Sequence, residues 1–287
     1  MLSTTDESRL ASGYVAGGVR QAAYRSGNGR LVVNADDWGR DVETTNKTLD
    51  CVRRETVSAV SAMVFMEDSE RAAALSREYG IDTGLHINFS AGFSASAYPQ
   101  PLAEHHRKVA RFLLSHAMAR VLYHPGLGRS FEYVVKAQID EFQRIYGRPP
   151  TRLDGHHHLH LSTNVLAAGL LPSGTWIRRN FSFQPGEKGG LNRLYRKAVD
   201  KRLARSHLLV DFVFNLAPLQ PAARLDRVFS MAQNAVVELE THPINRDEYS
   251  FLAEGEIFKT WRNLPIAKGF PPAGEQAGHA KQIVQQD

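Results

Sequence analysis

From residue 31 to residue 240 the chain alternates short apolar runs with segments that carry apolar residues at helical spacing, and no other feature restricts its fold as much. The runs at 31–35, 57–64, 81–87, 152–155, 175–178, 207–214 and 235–240 predict strands. Segments 42–55, 69–79, 131–146 and 222–232 predict helices, the third through Val134, Ala137, Ile139, Phe142 and Ile145. Strands separated by helices pair in parallel through right-handed crossovers, which leaves an open doubly wound sheet or a closed barrel. About seven βα units with no Gly-rich nucleotide fingerprint favour the barrel.

The length of 287 residues, 43% hydrophobic and 23% charged, fits one α/β barrel as well as two smaller domains. We expect a single barrel domain over 31–265, between a polar N-terminal extension at 1–30 and a polar tail at 266–287, both flexible. Two stretches break the rhythm: 91–129, with Pro99, Pro101 and Pro125, and 181–206, with Gly189 and Gly190. They either shape a substrate cleft above the barrel or cover core.

A net charge of +5 without long single-sign blocks argues against a nucleic-acid partner. Basic residues do gather at 191–206, which reads as a basic amphipathic helix, either a solvated face or a contact for a membrane surface or polyanion. The lone cysteine, Cys51, excludes an intrachain disulfide and a cysteine-based zinc site. No secretory h-region and no apolar stretch of membrane-spanning length is read, so the expected setting is cytoplasmic.

Polar residues of unusual type stand at the ends of the apolar runs. Asn34, Asp36 and Asp37 end the first, His86 the third, Asp154 and His156 the fourth, and Glu240 and His242 the last. In a parallel α/β fold the strand C-termini share one face, where active sites gather. Asp and His on neighbouring strand ends offer oxygen and nitrogen ligands to a divalent cation while leaving positions open. If 152–160 stays extended, Asp154, His156, His158 and His160 face one side. His156 is then the best ligand candidate, Asp154 orients a ring nitrogen, and His158 and His160 line the cleft.

Duller readings stand beside these. A histidine at a strand end is often a hydrogen-bonded structural residue, and Asn34 with the two aspartates could cap the following helix. Two adjacent carboxylates nevertheless repel each other, and a cation would relieve that. Arg178 and Arg179 either bind a substrate oxygen or face solvent. Trp38 lies near a site or packs in the core, and His105, His106, His116, His124 and His279 read as surface residues.

The motifs Asn34-Ala35-Asp36-Asp37-Trp38-Gly39, Thr83-Gly84-Leu85-His86, Leu153 to His160 as Leu-Asp-Gly-His-His-His-Leu-His, and Glu240-Thr241-His242-Pro243 occur in order. Together they resemble the YdjC-like family, which includes chitooligosaccharide deacetylases, over roughly 31–261. The resemblance implies a distorted TIM-like β/α barrel of the polysaccharide-deacetylase type, one divalent cation such as magnesium or zinc, and an N-acetylated sugar as substrate. By motif, Asp37, His86 and His156 become the metal ligands and Asp36 the general base. Trp38 replaces a commoner Phe and Gly155 a frequent Ser, and neither change removes a ligand.

The expected chemistry is hydrolysis of an acetamide by water activated at the cation, with His242 as general acid and His160 as its alternative. A hydrolase of phosphate or ester bonds using the same residues, and a catalytically idle sugar-binding protein, are the competing readings. Related barrels can be dimeric, so a homodimer is admitted.

Overall fold

The computed structural model describes residues 29–183, 189–260 and 266–272. Seven strands, β1 (Arg30–Trp38), β2 (Ala59–Ala62), β3 (Asp82–Ile87), β4 (Arg152–Gly155), β5 (Trp176–Ile177), β6 (Phe212–Asn215) and β7 (Val236–Thr241), form one sheet. All pair in parallel, in the order β5-β4-β3-β2-β1-β7-β6. This is sequential order around a barrel, interrupted between β5 and β6. The gap is spanned by an isolated bridge between Trp176 and Leu208, with Ile177 N–H donating to the Leu208 carbonyl at 2.9 Å. The expected seven-stranded distorted barrel is therefore present as a curled sheet joined by a bridge rather than a ladder.

The helices are α1 (Val42–Arg53), α2 (Ser69–Tyr79), α3 (Gln100–Leu113), α4 (Gly128–Tyr146), α5 (Thr163–Ala167), α6 (Gly190–Leu203), α7 (Ala222–Ala232), α8 (Arg246–Ala253) and α9 (Glu256–Thr260). Local chemistry sets their ends. Asp41 caps α1 by accepting from Thr44 N–H at 2.7 Å. Gly147, at φ 70°, ends α4 in the left-handed conformation that suits a helix C-terminus.

Period-two alternation sorts the strand side chains. Leu31, Val33 and Ala35 of β1 and Val237 and Leu239 of β7 join the hydrophobic core. The intervening Asn34, Asp36, Glu238 and Glu240 are buried too, on the opposite side. The barrel interior is thus lined by a polar and ionic network instead of stacked aliphatic layers, and this network positions the site.

One open alternative is resolved and two expectations are corrected. The stretch 91–129 contains α3, begun by Pro99 and Pro101, which fit a first turn; its Leu102, Val109 and Leu113 are buried as α3 packs on α4, so this part covers core. The strand expected at 207–214 is confined to β6, because 207–210 is taken up by the bridge to β5. Residues 266–272 dock on the barrel: Ile266 bridges Leu31, and Phe270 N–H donates to Asp82 at 2.8 Å. The Arg152 guanidinium lies 4.4 Å from the Phe270 ring centroid, closing the end where β3 and β4 begin. The expected tails at 1–28 and 273–287, and His279, lie outside the described residues.

Candidate metal centre

Adjacent residues on a regular strand point to opposite sides, so Asp36 and Asp37 should not share a pocket. The end of β1 departs from regularity. Its register against β2 shifts between Ala35 and Trp38, and Asp37 has φ 63°, an uncommon conformation for a non-glycine residue. This twist brings the Asp37 carboxylate to the same rim as Asp36. Strain of this kind is held by surrounding structure and clusters at functional sites.

Asp37 Oδ1 lies 3.0 Å from His156 Nδ1 and 3.3 Å from His86 Nε2. Yet Asp37 Oδ1 and His86 Nε2 are buried with no partner in hydrogen-bonding geometry. The other nitrogen of His86, Nδ1, sits 2.8 Å from Asp154 Oδ1. A carboxylate only accepts, so Nδ1 carries the proton and Nε2 faces the pocket, the arrangement that orients metal-bound histidines. One ligand atom each from Asp37, His86 and His156 falls within 4.8 Å of the others.

The interior charge fits a cation at this point. Among the described residues, the carboxylates of Asp36, Asp37, Asp154, Glu238 and Glu240 share the buried interior with the guanidinium groups of Arg152 and Arg178. Burial opposes a charge on His86, but Asp36 and Asp154 outweigh it and hold its pKa well above the imidazole range. Burial also works against the Asp37 carboxylate, and the adjacent imidazoles of His156 and His86 overcome it to depress its pKa. The pocket thus favours positive charge between these three side chains.

Arg178 is the hub of the network. Its guanidinium grips Asp36 with Nη1 to Oδ2 at 2.6 Å and Nη2 to Oδ1 at 2.7 Å. It also meets Asp154 at 2.9 Å, Glu238 at 2.7 Å and Glu240 at 2.9 Å. Burial pushes the Glu238 carboxyl up to about 7, with Arg178 pulling the other way. The expectation that Arg178 faces solvent or binds a substrate oxygen is corrected: it is 3% exposed and saturated by four carboxylates. Arg179 pairs with Asp200 at 2.8 Å and donates to the Asp211 carbonyl.

The His cluster does not stay extended. After β4 the chain enters a 3₁₀ turn, His156–Leu161, in which His157 and His158 have φ of 56° and 57°. A Cβ on Gly155 would lie 3.0 Å from the His160 Cβ, so the close return of the turn favours glycine there. The shared face expected for Asp154, His156, His158 and His160 is therefore corrected. His156 reaches the pocket shared with Asp37 and His86, and His158 lies 3.3 Å from Glu240 with its ring against Phe181. His160 is fully buried at 2.8 Å from the Arg178 carbonyl, and burial pushes its pKa down to about 3. It holds the Arg178 backbone and lines no cleft, which removes it as the alternative general acid.

His242 follows β7. Its backbone N–H donates to Glu248 Oε2 at 2.9 Å, and Thr241 Oγ1 donates to the same oxygen. A ring nitrogen of His242 falls within 4.8 Å of carboxylate oxygens of Asp36 and Glu240. Trp38 is corrected as a cleft residue: its indole is fully buried and donates to Ser76 Oγ and the Ala72 carbonyl of α2. Burial pushes the Cys51 thiol up to about 12, which removes it as a nucleophile.

Sequence reasoning did not select Ser61, Arg152 or Glu238, and it noted Glu240 without a role. Ser61 donates to Asp154 at 2.6 Å and receives a bond from Arg152. The available signal was two glutamates at alternate positions of an apolar strand, Val-Val-Glu-Leu-Glu-Thr, which must share one face.

Chitooligosaccharide deacetylase of Serratia marcescens is 34% identical over 140 residues, covering 47% of this chain and 52% of that protein. The protein of the same name from Yersinia pestis is 32% identical over 136 residues, with the same coverage. The chain thus spans about half the length of the curated relatives it matches. A protein of Enterococcus faecalis V583, described as a candidate for cellobiose-phosphate cleavage, has the same fold in its crystal structure. Its TM-score is 0.61 at 16% identity, over 87% of this chain and 99% of that one. The YdjC-like protein family model matches residues 30–257, and by this match the chain belongs to the YdjC-like family.

Proposed function

We propose that this protein is a divalent-metal-dependent hydrolase that removes acetyl groups from N-acetylated carbohydrates. The observation that carries the reading is the convergence of Asp37 Oδ1, His86 Nε2 and His156 beside an aspartate, Asp36, held by Arg178. The name shared by the relatives from Serratia and Yersinia supports the substrate class.

Asp37, His86 and His156 would hold the cation. When bound, such an ion supplies Lewis acidity toward an acyl oxygen and lowers the pKa of water toward neutrality. Two imidazoles and one carboxylate suit zinc better than magnesium, which prefers an all-oxygen shell. Asp36 is assigned as base rather than ligand because both its oxygens are already fixed by Arg178, whereas Asp37 Oδ1 has no hydrogen-bond partner. Oδ1 accepts from Asn34 Nδ2 as well as from Arg178, whereas Oδ2, bound by Arg178 Nη1, keeps a further lone pair with which Asp36 can accept a proton from water. In the proposed reaction water adds to the acetyl carbon, the C–N bond breaks, and His242 gives a proton to the departing amine. The products are acetate and a free amino sugar.

The competing hydrolase of anionic esters loses its specific support, since Arg178 has no capacity left for a phosphate. A panel of N-acetylated mono- and oligosaccharides beside acetyl and phosphate esters tests the reading. New primary amine from the acetamides alone is expected; turnover of the esters alone would replace the acetamide with another bond.

A further inference from the structure

The two stretches that interrupt the barrel rhythm come together on one side of the molecule. Helix α5 joins them: His124 N–H donates to Asn164 Oδ1 at 2.9 Å, and Arg202 Nη2 donates to the Leu166 carbonyl at 2.7 Å. Burial and then the charge of Arg120 depress the pKa of Arg196, which places the 107–124 and 191–206 stretches within electrostatic reach.

Their surface has an unusual composition. Leu114, Met118, Leu122 and Tyr123 are 60%, 59%, 48% and 54% exposed in the first stretch. In the second, Leu191, Leu194 and Tyr195 are 86%, 65% and 41% exposed, and 191–195 has no buried residue. Most of the large apolar side chains exposed among the described residues lie here. The same two stretches carry ten Lys and Arg, four in 107–124 and six in 191–206, against one acid, Asp200. That acid is buried and bound to Arg179.

The patch also lies toward the catalytic rim. Helix α6 delivers the chain to Leu208, which bridges the start of β5, so its first turns stand on the opposite side, where the strands end. Helix α4 likewise ends near the start of β3, with Arg148 donating to the Thr83 carbonyl, which puts residues just before α4 at the rim. No helix among the described residues is long and apolar enough to cross a membrane.

We propose that this face docks on the surface of an anionic lipid bilayer, with Leu191, Leu194 and Met118 entering the headgroup region and the surrounding basic side chains meeting lipid phosphates. Exposed aliphatic side chains interspersed with cations in the same two stretches suit an interface that is charged outside and apolar within. A nucleic acid would match the charge but has no use for exposed leucines and methionine. Docking does not depend on the deacetylase reading. If both hold, sugar carried on a lipid reaches the catalytic rim from the membrane plane.

Co-sedimentation of the full chain with phosphatidylcholine vesicles, with and without phosphatidylglycerol, tests the proposal without reference to activity. Binding only to the anionic vesicles, weakened by salt, is expected. Arg193→Gln with Lys197→Gln should lower partitioning on the order of thirtyfold, since each basic residue near an anionic surface contributes about a fivefold factor. Leu191→Ser with Leu194→Ser should lower it about tenfold or more, because two exposed leucines lose their apolar burial. Both pairs are solvent-facing, and unchanged circular dichroism would show the fold retained. Failure to bind, equal binding to neutral vesicles, or binding insensitive to the leucine pair and displaced by duplex DNA would overturn the proposal. So would a dimer in sedimentation velocity that the leucine pair abolishes.

Discussion

Arg178 holds Asp36 through two parallel bonds of 2.6 and 2.7 Å, and the same guanidinium meets Asp154, the carboxylate that orients His86. One buried cation thereby fixes both the assigned base and the support of an assigned metal ligand. Arg178→Met should destabilise the protein by about 3–5 kcal/mol, because four buried carboxylates lose their partner. Arg178→Lys should restore little, since an ammonium cannot reproduce the forked contact. Thermal denaturation of the two variants checks this; a lysine variant as stable as the parent would count against the forked contact as the organising feature.

Asp36 and Asp37 are adjacent but assigned different work. Asp36→Asn should cut turnover by about 10² to 10⁴ while the protein still binds its cation. Asp37→Asn should lose the cation itself. Metal content after dialysis, measured beside turnover, separates the two, and loss of metal from Asp36→Asn would reassign that residue as a ligand.

Asp154 acts through His86. Asp154→Asn should weaken metal affinity about 10- to 100-fold, the usual consequence of removing the outer carboxylate from a ligating histidine. Calorimetric titration with zinc gives the number directly, and unchanged affinity would show that His86 needs no orienting partner.

His106, expected at the surface, is buried on α3 with its ring 4.5 Å from that of Phe93. Burial pushes its pKa down to about 4 from an ordinary 6.5. Above pH 6.5 the ring is neutral whether the chain is folded or not, and its contribution is intact. Between 6.5 and 4 only the unfolded chain takes up the proton, so stability falls with pH, by up to roughly 3 kcal/mol at the lower end. His106→Phe should flatten the dependence of melting temperature on pH across this window. Parallel curves for the two proteins would place the acid sensitivity elsewhere, for instance at His160.

Much of the architecture was legible because the period of the apolar residues is a local property. Helices α2 and α7 and strand β4 begin and end where the pattern places them. Helix α3 was hidden by Pro99 and Pro101, which read as breakers although they fit a helix start. Within the site, the residue types at strand ends were legible and their conformations were not. Neither the left-handed Asp37 nor the turn at His157 and His158 has a local signature, since each is imposed by tertiary contacts. Arg178 shows the same limit: its partners Asp36, Asp154, Glu238 and Glu240 come from three other strands, and no spacing in the chain announces them.

The most direct test of the central claim is acetate release from N-acetylated oligosaccharides by the purified protein, with added zinc or magnesium, with a chelator, and with Asp36→Asn. Release that requires the metal and disappears in the variant is the predicted result. Release that persists in the chelator, or that Asp36→Asn leaves unchanged, would contradict the assignment of this site and its base.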